Sequence, residues 1–126
     1  MAAERARTLA EEGAASLQGT KNYPTAYSVG VSSRTGSIYM ANSGRPLPQN
    51  IHPTLSNRMP NPSLETWRVA NCAEFKVCNL ALFAGENIED LAIYTMDVDK
   101  FVPKVRCLNC QITTDGAYVP SDLLNP

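Results

Sequence analysis

No apolar run in this sequence is long enough to cross a bilayer. The longest, Leu80 to Ala84, covers only a fraction of the roughly 20 residues a membrane-spanning helix needs. The first residues, Met1-Ala2-Ala3-Glu4-Arg5, lack the apolar stretch of a secretory signal, so the chain reads as a soluble domain with no membrane or export address of its own. An excess of one charge is missing too: 11 Lys and Arg stand against 12 Asp and Glu, for a formal net charge of −1. That balance argues against a large cationic face for duplex nucleic acid. Neither an internal repeat nor a low-complexity segment occurs, which removes solenoid and tail-like architectures.

What remains is the composition of an ordinary globular protein, with 44% hydrophobic and 18% charged residues. A chain of 126 residues is expected to form one domain, spanning 1–126, around a single core. Its charges are unevenly spread. From Lys21 to Lys76 there are six basic residues (Lys21, Arg34, Arg45, Arg58, Arg68, Lys76) against two acids, Glu65 and Glu74, whereas Glu86, Glu89, Asp90, Asp97 and Asp99 follow. This segregation is compatible with a modest positive field over one mouth of the domain.

Helix formers dominate Ala2 to Leu17, which predicts a first helix within residues 1–20. Ala26 to Val31 and Ser37 to Met40 have strand character around the turn Arg34-Thr35-Gly36, the pattern of a hairpin. Residues 44–62 carry five prolines and read as a long loop, either a binding wall or a surface connection. A helix is expected from near Asn71, as N-cap, to Ala84, with Gly85 as its stop; its apolar residues point all round, which marks burial on most sides. Leu91 to Met96 reads as a buried strand. A charged loop through Pro103, a helical stretch from Cys107, a turn at Asp115-Gly116 and a last short strand at Tyr118-Val119 complete an α/β layered fold on one sheet.

Three of the four cysteines carry the chemical signal. Cys72-Ala73-Glu74 opens one helix and Cys107-Leu108-Asn109-Cys110 opens the next. A helix N-terminus favours thiolate, and thiolate is the form that binds zinc. Three protein ligands leave a tetrahedral ion one open position, the arrangement of a catalytic site, where a water molecule becomes acidic enough to act as a nucleophile. Glu74 lies in the same first turn as Cys72 and can reach that position without binding the metal. A closed four-cysteine site including Cys78 conflicts with helix geometry, because six residues turn Cys78 about 120° away from Cys72; Cys78 reads as a small buried apolar residue. A redox pair of Cys107 and Cys110 is the other alternative.

The pairing of Cys72-Ala73-Glu74 with Cys107-Leu108-Asn109-Cys110 resembles the signature of the cytidine-deaminase-like superfamily, in which zinc-activated water attacks cytosine or adenine. Within it the chain looks most like the YwqJ-like bacterial toxin deaminases, through Thr35-Gly36, Asn42-Ser43-Gly44, Ile51-His52-Pro53, Trp67, Asn71-Cys72-Ala73-Glu74 and Arg106-Cys107-Leu108-Asn109-Cys110, over roughly residues 25 to 120. Arg106 stands where the superfamily usually has proline. The resemblance implies a three-layer α/β/α cytidine-deaminase-like fold with a mixed sheet of about four to five strands, and the short segment after Cys110 favours four. It further implies zinc as cofactor on Cys72, Cys107 and Cys110, and Glu74 as the proton carrier. Asn42, His52, Trp67, Ala73 and Arg106 become candidate substrate contacts. Each of these has a plainer reading as well: Asn42 as a turn former, His52 as a local cap, Trp67 as core. Arg45, Arg58, Lys104 and Arg106 are candidates for phosphate contact.

The function so implied is conversion of cytosine to uracil in nucleic acid, with single-stranded DNA favoured and RNA also a candidate, by a toxin domain acting in a target-cell cytoplasm. A cognate immunity protein is the implied protein partner, and no membrane partner is expected. Two rivals remain open on sequence: a free nucleoside or nucleotide deaminase, which the near-neutral charge suits, and a non-catalytic zinc-stabilised binding module, which would not require Glu74.

Overall fold

A computed structural model of the chain describes residues 1–124; the last two residues of the expected 1–126 domain lie outside the described residues. Helix α1 runs over Ala2–Gln18, close to its sequence bounds. Strands β1 (Ala26–Ser32) and β2 (Ile38–Asn42) form the expected hairpin, and Gly36 takes the positive φ of +76° that the turn requires. The Pro-dense loop contains a single helical turn, α2 (Pro53–Ser56), because Pro53 occupies the first helical position, where its missing N–H costs nothing. Helix α3 (Ala73–Phe83) follows a 3-10 turn over Val69–Asn71, so Cys72, not Asn71, is its N-cap. After β3 (Leu91–Asp97) come a two-residue β4 (Val102–Pro103) inside the expected charged loop, α4 (Leu108–Thr113) and α5 (Ser121–Leu124).

The strands make one four-stranded sheet in the order β2-β1-β3-β4, with antiparallel ladders throughout. The expected last strand at Tyr118-Val119 is reduced to one parallel bridge between Tyr118 and Ala92, made by Ile93 N–H to the Tyr118 carbonyl and Tyr118 N–H to the Leu91 carbonyl. Pro120 follows directly and has no N–H with which to extend the ladder. The sheet expected to be mixed is therefore antiparallel apart from this bridge. Helices and strands combine as the α/β reading expects, and none of the described helices is long and apolar enough to cross a membrane.

Strand periodicity sorts the core into two halves. Tyr27, Val29 and Val31 of β1, with Tyr94 and Met96 of β3, meet the small face Ala6, Ala10 and Ala14 of α1. Gly30, Leu91 and Ile93 point the other way, towards Phe75, Val77, Cys78 and Ala81 of α3. A Cβ on Gly30 would sit 2.6 Å from the Val77 side chain, so glycine there is what lets α3 settle onto the sheet. Cys78 is fully buried in this half, as its helical position relative to Cys72 predicts, and burial pushes its thiol up to about 12.

One buried carboxylate ties the far end of the hairpin to the end of α3. Glu86 accepts hydrogen bonds from Thr35 Oγ1 (2.6 Å), Ser32 Oγ (2.9 Å), the Tyr39 hydroxyl (2.9 Å) and the Arg34 guanidinium (2.9 Å). The Thr35 hydroxyl above all, then Tyr39, Ser32 and the Arg34 charge, hold its carboxyl below the usual carboxylate range, against the opposing effect of burial. A lowered native value means that Glu86 stabilises the fold above the ordinary carboxylate value of about 4.3 and that this contribution is lost as the pH falls through the native one. Glu86→Gln is expected to cost about 1–3 kcal/mol at neutral pH. The gap in urea midpoint between wild type and variant should narrow below about pH 4.5, near the ordinary carboxylate value; a gap that stays constant down to the acid transition would contradict this role.

Candidate metal centre

Two helix starts and one helix interior bring the three expected cysteines together. Cys72 is the N-cap of α3 and Cys107 the N-cap of α4, both with extended backbone, and Cys110 lies one turn into α4. Their sulfur atoms all fall within 4.8 Å of one another, and Cys72 Sγ and Cys107 Sγ are 3.3 Å apart. Around a tetrahedral ion with metal–sulfur bonds of about 2.3 Å, sulfurs sit about 3.8 Å apart. The donor set therefore fits a metal ion of zinc's size and softness. All four cysteines are free of disulfides, and Cys78 stands outside the cluster.

Sulfur charge is provided for locally. Thiol hydrogen bonds from Cys110 and Cys72, joined by the backbone N–H groups of Cys110 and Asn109, hold Cys107 far below the usual thiol range. The same bonds to Cys107 push Cys72 and Cys110 up. Trp67 adds an indole N–H to Cys72 Sγ at 3.2 Å, and its ring is 40% exposed, so it is not a core residue.

The segment carrying Trp67 is fastened to α4 by residues whose role the sequence does not advertise. Asn109, the fully buried residue just before Cys110, accepts from Leu64 N–H (2.9 Å) and donates to Ser63 Oγ (2.9 Å). Ser63 Oγ in turn donates to the Trp67 carbonyl (2.6 Å), and the Glu65 carboxylate caps α4 by accepting Leu108 N–H (3.0 Å). On α3 the buried Lys76 donates to the carbonyls of Asn42 (2.9 Å) and Gly44, while Asn79 accepts His52 N–H (2.8 Å) and donates to the Asn50 carbonyl (2.8 Å). The helix buried on most sides is thus wrapped in part by the long loop, through polar side chains as well as apolar ones.

Cys72 and Cys107 border a cavity of roughly 390 Å³ that is also lined by Tyr23, Thr25, Ser43, Trp67, Asn71, Ala73, Glu74 and Lys104. Cys110 closes the site from behind, wholly buried. Glu74, in the first turn of α3, is 4% exposed. Burial raises its carboxyl above the usual range, whereas its own backbone N–H, the Thr95 hydroxyl and the Lys104 ammonium act to lower it. Ser28 and Thr95, hydrogen-bonded to each other on the α3-facing side of the sheet, account for polar residues in otherwise apolar strands.

The remaining candidates fall in several places. Ala73 and Trp67 line the cavity. Asn42, at the end of β2, is exposed and stands outside the lining, one residue before Ser43. His52 sits outside as well: its Nδ1 accepts Thr54 N–H (3.2 Å) as the N-cap of α2, and its ring meets Phe83 edge-on at 5.2 Å. Arg106 is committed to Asp122 (2.8 Å) and to Thr114 Oγ1 (3.1 Å), and so fixes the loop before α4 where a proline was expected from the resemblance. Arg58 is likewise spent on the carbonyls of Thr113 (3.3 Å) and Asp115 (2.8 Å). Of the candidate phosphate contacts, Lys104 lines this cavity and Arg45 lines its neighbour.

Compared with known proteins, the chain finds no match to a family model, to a curated protein or to a solved structure.

Proposed function

We propose that this chain is a zinc-dependent hydrolytic deaminase that converts cytosine to uracil in single-stranded nucleic acid. The observation that carries the reading is a buried carboxyl, Glu74, on the wall of the same cavity as two of three convergent thiols. A structural zinc site closes its coordination with a fourth protein ligand and has no use for such a carboxyl. Cys72, Cys107 and Cys110 would hold the ion, which when bound supplies Lewis acidity that makes water nucleophilic near neutral pH.

Glu74 then takes a proton from the attacking water as the water's oxygen adds to C4 of cytosine, and delivers it to ring N3. Glu74 then carries the proton left on the new C4 hydroxyl to the exocyclic amine, the C4–N bond breaks, ammonia leaves and the C4 carbonyl of uracil remains. A carboxyl raised by burial and lowered by Lys104 is suited to both uptake and release of a proton. Trp67, through Cys72, and Asn109, through the Ser63–Trp67 segment, position this machinery.

A target base has to leave any helical stack to enter a cavity of this kind, which favours a single strand over duplex. On the resemblance to YwqJ-like deaminases, the domain acts as a toxin whose mouth a cognate immunity protein blocks. Expression in a bacterial host lacking uracil repair is expected to raise C-to-T mutations; an unchanged mutation spectrum would overturn DNA as the substrate.

A further inference from the structure

Beside the metal cavity lies a second one, of roughly 590 Å³, lined by Arg45, Pro46, Leu47, Arg68 and Asn71. Asn71 borders both cavities. The two arginines stand on the segments that also build the metal site: Arg45 follows Gly44, and Arg68 follows Trp67, and both Gly44 and Trp67 line the metal cavity. The other arginines near these elements are engaged, Arg34 with Glu86, Arg58 with carbonyls and Arg106 with Asp122. Arg45 and Arg68 are exposed and take part in none of the ion pairs or side-chain hydrogen bonds found among the described residues. Among the described residues no carboxylate lines this cavity to neutralise them.

Their backbones are nevertheless fixed. Gly44 N–H donates to the Asn71 carbonyl (3.0 Å), Asn71 N–H donates to the Arg68 carbonyl (3.0 Å), and Lys76 holds the Gly44 carbonyl. Two guanidinium groups on anchored backbone, with no counter-charge, form a site for a phosphate, which arginine recognises through paired N–H donors. Pro46 and Leu47 add an apolar surface beside it.

We propose that this second cavity binds a phosphodiester of a single-stranded nucleic acid whose adjacent nucleotide enters the metal cavity. The inference rests on the deaminase reading and deepens it, since it makes a polymer the preferred substrate over a free nucleoside. It reconciles a net charge of −1 with nucleic acid, because the positive charge that matters is concentrated at two residues beside the site.

The test is fluorescence anisotropy of a labelled oligodeoxycytidine against the zinc-loaded chain over a range of salt concentrations, for wild type and for Arg45→Gln/Arg68→Gln. Arg5→Gln/Arg7→Gln on α1, on the opposite face of the sheet, controls for loss of charge alone. The slope of log affinity against log salt is expected to become shallower by about 0.7 in the first variant, the value for one phosphate contact on a single strand, with affinity down by about tenfold or more. The α1 variant should change little. Equal slopes for wild type and Arg45→Gln/Arg68→Gln, or an equal loss in the α1 variant, would overturn the phosphate site. Uracil formed from the oligonucleotide with unchanged slopes would leave the deaminase reading standing and remove the phosphate site alone. Arginine-dependent binding with no uracil would do the reverse.

Discussion

Replacing Glu74 by glutamine is expected to lower deamination by about two to four orders of magnitude, the usual contribution of a positioned general acid and base, while zinc content stays at the wild-type level. Glutamine matches the shape of the buried carboxyl but can neither take up nor release a proton at neutral pH. The thiols are untouched, because Glu74 is not among the three sulfur donors. Thermal stability should hold or rise. A carboxyl that is 4% exposed is desolvated at a cost, and the amide removes the charge that makes burial expensive. Turnover within tenfold of wild type, with the metal in place, would remove Glu74 from the chemistry and leave a zinc-stabilised binding module as the account of the site.

The second large effect concerns the metal. Cys110→Ala is expected to abolish stoichiometric zinc binding, since it removes the wholly buried member of a three-sulfur set that has no fourth protein ligand among the described residues to fall back on. A ligand present at about a thousand times its dissociation constant stabilises the folded state by about 4 kcal/mol, and for a domain of this size each kcal/mol moves the midpoint by roughly 3–5 °C. Loss of zinc, by the substitution or by a chelator, should therefore lower the thermal midpoint by on the order of 10 °C, and chelator should have no further effect on the variant. Cys78→Ala is the control. It leaves a small cavity in the core half facing α3, so it should lose some stability yet keep one zinc per chain by native mass spectrometry. Zinc retained by Cys110→Ala, or lost by Cys78→Ala, would contradict the assignment of the ligands.

Local signals in the chain are enough to find α1, the first hairpin, α3 and β3. Each is written in short-range terms: helix formers without breaks, strand residues around Thr35-Gly36, apolar residues running to Gly85, and an unbroken apolar run from Leu91. The cysteine trio is legible for the same reason, because helix starts and the position of Cys78 along α3 decide which thiols can converge. What escapes sequence reading is set by contacts far apart in the chain. Asn109 meets Leu64 across 45 residues, and Glu86 gathers Ser32, Thr35 and Tyr39 from the hairpin. Neither asparagine nor glutamate at those positions has a local pattern that announces burial. Trp67 shows a further limit, for nothing in its local sequence announces that its N–H is donated to the Cys72 sulfur. The arginines divide in the same way: Arg106 and Arg45 look equivalent in the sequence, and only the carboxylate of Asp122 and the cavity beside Asn71 tell them apart.

The most direct test of the whole account is to incubate the purified, zinc-loaded chain with a single-stranded oligonucleotide, with its RNA counterpart, with duplex DNA and with free cytidine, and to look for uracil and ammonia in each. The account predicts uracil in a single-stranded polymer, little in duplex or cytidine, and at least about a hundredfold less with Glu74→Gln. Uracil from cytidine alone would make the protein a nucleoside deaminase, and absence of product from every substrate, with zinc bound, would contradict cytosine deamination outright.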